Sequence, residues 1–124
     1  MLGGRWLQRP GRPDGQRING KETWLEHLQH KADMDPFFSL DHDDCLQLMQ
    51  EGILFYQRYL VLYQMEDWRG VVRDTDRNIE YFHFIKQHAE NKEDWLTVAQ
   101  YQPYILRMNA IAKAQILWEG GEFD

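Results

Sequence analysis

A chain of 124 residues is long enough for one domain with a real core, of the kind that buries roughly two-thirds of the surface its unfolded chain exposes. Hydrophobic residues at 43% and charged residues at 27% are ordinary for a globular protein, and the single cysteine, Cys45, excludes an intrachain disulfide framework and suits a reducing compartment. The net charge of −6 argues against a nucleic-acid platform, because affinity there comes mainly from neutralising phosphates.

The charge is divided unevenly. Arg5, Arg9, Arg12, Arg17 and Lys21 face Asp14 alone in the first stretch, and the remainder is acidic. Residues 1–18 are rich in glycine and proline, and Arg12-Pro13-Asp14-Gly15 has the chemistry of a tight turn. They read as an irregular basic arm, a solvated or intramolecular strap anchored by Trp6 and Leu7, ahead of a helical domain at 19–124. The start lacks the basic-then-apolar order of a secretory signal, and no stretch offers the ~20 predominantly apolar residues of a bilayer span. The expectation is a cytoplasmic protein without a membrane partner.

A first helix is expected from Asn19, capped there with Glu22 completing a capping box, and ending before Asp35-Pro36. Trp24, Leu25 and Leu28 form its apolar face, and Phe37, Phe38 and Leu40 of the following connection should plug the core. The next stretch, Cys45 to Met65, is apolar on nearly every side. Leu46, Met49, Ile53, Tyr56, Leu60 and Tyr63 make one stripe, and Leu48, Phe55, Tyr59 and Leu62 a second, so this reads as a central helix with neighbours on more than one side. It starts at Asp41, with Asp43 and Asp44 at the positive end of its dipole.

Glu66-Asp67 marks a reversal into a third, antiparallel helix. Trp68, Val71, Val72, Ile79, Phe82 and Ile85 form its apolar face, while Arg69, Arg73, Asp74, Asp76, Arg77 and Glu80 read as a solvated ion-pair ladder on the opposite face. The alternative is that Arg69, Arg73 and Arg77 read a partner. Asn91 opens a last helical stretch, which Pro103 should break around Gln100 to Gln102. From Tyr104 the pattern resumes through Ile105, Met108, Ile111, Ala112, Ile116 and Leu117, with small Ala110, Ala112 and Ala114, to a stop at Gly120-Gly121.

The fold expected is therefore all-α, three or four long helices in antiparallel hairpins. Leu62 to Trp68 and Leu117 to Phe123 share a pattern of long helix, tight turn and aromatic, which resembles the grammar of tetratricopeptide hairpins. Only the first is followed by a return helix, so the C-terminal hairpin reads as unfinished, in a fragment, a natural short form or an obligate oligomer.

Gly11-Arg-Pro-Asp-Gly-Gln-Arg17, Asp43-Asp-Cys-Leu-Gln-Leu-Met49, Tyr56-Gln-Arg-Tyr59, Val72-Arg-Asp-Thr-Asp-Arg-Asn78 and Tyr101-Gln-Pro-Tyr-Ile-Leu-Arg-Met108 together resemble the helical region of bacterial UvrB/UvrC-motif-containing proteins. The resemblance implies a helical scaffold without catalytic residues. Such proteins carry a further short hairpin for protein association, which this sequence does not contain.

No pattern forms a catalytic signature. Glu80-x-x-His83 has the spacing of di-iron bundles but lacks the second copy such a site needs. His27 and His30, with Glu26 and Asp33, could share a divalent metal, but they read as a polar helix face. His42 and Cys45 stand one turn apart with no third group in sequence to orient the histidine, so Cys45 reads as packing. No catalytic, cofactor or metal residue is assigned. The function expected is a non-enzymatic interaction or scaffold module that binds another protein, or its own copy, through Tyr104, Met108, Ile111, Ile116, Leu117 and Trp118. The alternative is a helical-bundle protein that binds a metal or small ligand. Nucleic-acid binding by the arm, a third reading, predicts affinity that falls steeply with salt.

Overall fold

The computed structural model describes residue 7 and residues 9–120. Five helices account for the described body: α1, Trp24–Met34; α2, His42–Gln64; α3, Trp68–His88; α4, Lys92–Ala99; and α5, Gln102–Glu119. The all-α expectation holds. Three of the helices are long, and the break expected near Pro103 separates α4 from α5, with the proline in the first turn of α5, where its missing N–H costs nothing.

The helix starts follow from side-chain chemistry. Asp41 and Asp44 form a reciprocal capping box on α2, and the Asp67 carboxylate accepts from the Gly70 amide to open α3. Glu66, at φ 58°, turns the chain sharply between those helices. The first helix begins later than expected. Asn19 and Gly20 both have positive φ, at 48° and 81°, and Ile18 and Lys21 exchange backbone hydrogen bonds across them. That is the tight hairpin turn that an Asn-Gly pair favours, so Asn19 is a turn residue. Thr23 caps α1 instead, accepting from the Glu26 amide at 3.0 Å.

The order of packing differs from expectation as well. The central helix is α3, which packs on α2 along one side and on α5 along the other, with α4 against its end, while α1 lies on α2. Its pattern looked amphipathic because polar residues on its second face are buried with the apolar ones: Asp74, Thr75 and Asn78 join Val71, Tyr81, Phe82 and Ile85 in the interior. Helix α2 meets α1, α3 and α4 and leaves one face open. Its Leu48, Phe55, Tyr59 and Leu62 are buried, and the stripe of Leu46, Ile53 and Tyr56 faces solvent.

Two apolar clusters result. The larger gathers Leu25, Leu28, Leu40, Cys45, Leu48, Tyr59, Phe82, Ile85, Val98 and Ile105, and the smaller joins Leu7 to Leu62, Trp68, Val71 and Ala112. Leu7 thus anchors the start of the chain, while Trp6 lies outside the described residues. Leu40 plugs the core as expected and pairs its backbone with His88 and Glu90. Phe38 packs on Phe84 and His88, but Phe37 is 89% exposed, because its amide turns back to the Asp35 carboxylate and aims the ring outward.

Candidate interaction site

The charged residues of α2 and α3 build the interior rather than a surface. Glu51 is fully buried and accepts from four directions: Arg12 Nη1 at 3.0 Å, Arg77 through a short contact, the Trp24 amide at 2.8 Å and the Leu25 amide at 3.3 Å. The carboxylate therefore sits at the positive end of α1 and satisfies amides that no helical turn can satisfy. Arg77 lies over the Phe55 ring, 4.2 Å from guanidinium to centroid. Burial pushes its pKa down to about 10 against the opposing pull of Glu51. Farther along the same contact, about two turns on in α2 and one turn back in α3, Arg58 and Asp74 form a bidentate pair at 2.7 Å, with both side chains out of solvent. Arg73 adds a contact to Asp74 at 3.0 Å and donates to the Leu7 carbonyl at 2.9 Å.

The expected solvated ladder is thus corrected. Asp74 is inside, Arg77 is almost wholly covered, and Arg73 is half-buried, because each neutralises a partner at the α2–α3 contact; only Arg69 of the three arginines remains exposed. Sequence could not show this directly, but Glu51 and Arg58 are the only charges in an otherwise neutral stretch from Leu46 to Met65. That isolation was the available signal.

Within the described part of the arm, Arg12 reaches the body and Arg17 pairs locally. Arg12 bridges Asp14 at 2.7 Å and Glu51, and Arg17 bridges Glu22 at 3.0 Å. The hydrogen bond from Arg12 holds the Asp14 carboxyl below its usual range. These arm cations are spent within the chain, which leaves the salt-sensitive nucleic-acid reading without free charges at Arg12 and Arg17.

Helix α5 presents a mixed outer surface, with large apolar side chains beside Arg107, Lys113 and Glu119. Helix α5 seats Ile105, Asn109 and Ala112 against its neighbours, with Met108 and Ile116 half-buried beside them. Asn109 donates to both Thr75 Oγ1 and Asp76 at 2.8 Å, which fixes the register of α5 on α3, and the Trp68 indole donates to Glu119 at 3.0 Å. Outward on one flank stand Tyr104, 73% exposed, and Trp118, 68% exposed, with half-buried Ile111 between them. Leu106 and Leu117 occupy the other flank. Of the residues expected to meet a partner, Tyr104, Leu117 and Trp118 are therefore solvent-exposed, and Ile111 in part. Ile116 and Met108 chiefly serve the fold.

The titratable constellations resolve into structural roles. His27 bonds to Asn19, Glu80 accepts from Gln29 at 2.8 Å, and His83 is exposed. Among the described residues no three His, Cys, Asp or Glu side chains gather as a metal site. The group that orients His42 was invisible in sequence: Asp94, from α4, meets His42 Nδ1 at 2.8 Å. Cys45 lies beside this pair but is buried, and desolvation pushes its thiol up to about 12, so it stays protonated at neutral pH. No helix among the described residues is long and apolar enough to cross a membrane. Comparison with protein-family models, with curated proteins and with solved structures found no match.

Proposed function

We propose that this chain is a non-enzymatic helical interaction module that receives an apolar helix of another protein along the outer flank of α5. The observation that carries the reading is the exposure of Tyr104 and Trp118 on the same side of α5 as Ile111, on a helix whose buried face, Ile105, Asn109 and Ala112, is engaged by its neighbours. Large aromatics held rigidly on a helix face are the residues from which binding hot spots are built. A further helix laid here extends the row α2, α3, α5 by one member, which is also how tetratricopeptide-like scaffolds grow and which suits the resemblance to a bacterial scaffold region.

The test is a photo-reactive residue at the exposed position Gln115 in cells of the source organism, followed by identification of the attached protein and titration of that protein against the purified chain. Binding at one to one, lost in Tyr104→Asp and Trp118→Asp variants that melt like the parent, supports the reading. Attachment of nothing, or a partner that ignores both substitutions, rejects it.

A further inference from the structure

The outer face of α2 carries no charge from Leu46 to Met65. Between Leu46 and Met65 the only ionisable residues of full charge are Glu51 and Arg58, and both are turned inward and neutralised there. The exposed residues of that span are Leu46, Gln47, Gln50, Ile53, Tyr56, Gln57, Val61, Gln64 and Met65. They follow a seven-residue repeat. Leu46, Ile53 and Leu60 recur at one position, Met49, Tyr56 and Tyr63 three residues on, and Gln50, Gln57 and Gln64 directly after those. Leu60, Met49 and Tyr63 are half-buried at the inner margin of the strip, and the others are open. This is the spacing of a coiled-coil seam, sustained for about 27 Å at 1.5 Å per residue.

We infer that this seam is a self-association surface and that its occupant is the α2 seam of a second copy, related by a two-fold axis. Three features select that occupant. A neutral seam gives no electrostatic attraction to a charged partner helix, whereas an identical seam places apolar residues against apolar residues. Each glutamine carries both a donor and an acceptor, so a row of glutamines is matched by the same row arriving from the other side of the axis. The chain has a net charge of −6, so two copies repel over most of their surfaces, and a charge-free strip is where they approach without setting acid against acid. The inference does not rest on the α5 reading, because the two surfaces lie on opposite sides of α3.

The experiment is light scattering over a concentration series with the parent chain, Ile53→Glu, Ile53→Lys, an equimolar mixture of the two, and Trp118→Asp. Ile53 is 54% exposed at the middle of the seam, and circular dichroism melts establish that each variant folds. The expected result is a parent that moves from 15.0 kDa toward twice that mass as concentration rises, more readily with added salt. Each Ile53 variant alone should weaken the dimer by about thirtyfold or more, the mixture should restore it, and Trp118→Asp should leave it unchanged. A parent monomeric at every concentration, or a dimer that survives both Ile53 substitutions, overturns the inference. So does a dimer lost only in Trp118→Asp, which assigns self-association to α5, and so does a dimer that weakens with salt, which indicates ion pairs across the contact.

Discussion

Replacement of Glu51 by glutamine tests the reading of the interior most directly. The substitution preserves shape and removes the charge on which Arg12, Arg77 and the start of α1 converge. The side chains of Arg12 and Arg77 are only 11% and 12% exposed, so little solvent is present to compensate them. Breaking one partner of a buried ion pair costs about 3–5 kcal/mol. The amide also supplies one acceptor where the carboxylate supplied two, and each donor left unmet costs about 1–3 kcal/mol within that total. Native domains are stable by about 5–15 kcal/mol, so the variant loses a large share of its margin, with a fall in Tm of about 10–20 °C. Urea unfolding followed by tryptophan fluorescence and by far-ultraviolet circular dichroism measures the loss. Adding Arg77→Met should recover part of it, because the unpaired cation disappears. A loss below about 1 kcal/mol for Glu51→Gln would mean that the converging donors find water, and the account of a dry charged interior fails.

The remaining predictions concern packing and protonation. Gly52→Ala ordinarily favours a helix by about 1 kcal/mol, but here the added methyl meets the Tyr81 ring at 2.6 Å, so a net loss of about 1–3 kcal/mol is expected in thermal melts. Burial raises the pKa values of Cys45, Tyr59 and Tyr81 above their ordinary values of 9.0, 10.0 and 10.0. Groups with raised folded pKa contribute stability that is complete below the unfolded value and lost as pH rises, so stability should decline from about pH 9 upward. Arg77, lowered by burial, acts in the opposite direction above about pH 10, but one group against three leaves the decline in place. Denaturant melts between pH 7 and 11 (approximate bounds set by those ionisations) check the slope, and a flat profile would contradict it. Cys45 should react with a thiol reagent only as fast as the chain opens; rapid labelling of the native protein would show that the thiol is not enclosed.

Most of the architecture was legible because the boundaries are written in local chemistry. Asp41, Asp67 and Pro103 mark where helices begin, and the reversal at Glu66-Asp67 needed no tertiary information. Asn19 was misread because an asparagine caps helices and also enters hairpin turns, and the glycine after it decides between them. The choice of central helix failed for a different reason. Apolar periodicity ranks helices by how much they could bury, and α2 has two candidate stripes, whereas α3 hides polar groups whose partners come from distant positions. Asp74 needs Arg58, Asn78 donates to the Gly52 carbonyl at 3.0 Å, and Thr75 receives Asn109. Such pairs look like surface until both members are placed. The candidate partner surface was legible in Tyr104, Leu117 and Trp118, and less so in Ile116 and Met108, because one apolar helix supplies both a core face and an exposed one.

The convergence on Glu51 also bears on the route by which the chain folds and unfolds. Its partners come from residue 12, residues 24 and 25, and residue 77, so the arm, α1 and α3 must all have reached α2 before the carboxylate can be enclosed. An early carboxylate is simply hydrated, and the expected order is that the bonds replacing its water form after the rate-limiting barrier, which stopped-flow folding and unfolding of Glu51→Gln checks. Interactions of that kind leave the speed of folding nearly untouched and slow the reverse reaction. On that order Glu51 is a late latch: its loss should speed unfolding with little change in folding rate, and so shorten survival in the presence of proteases.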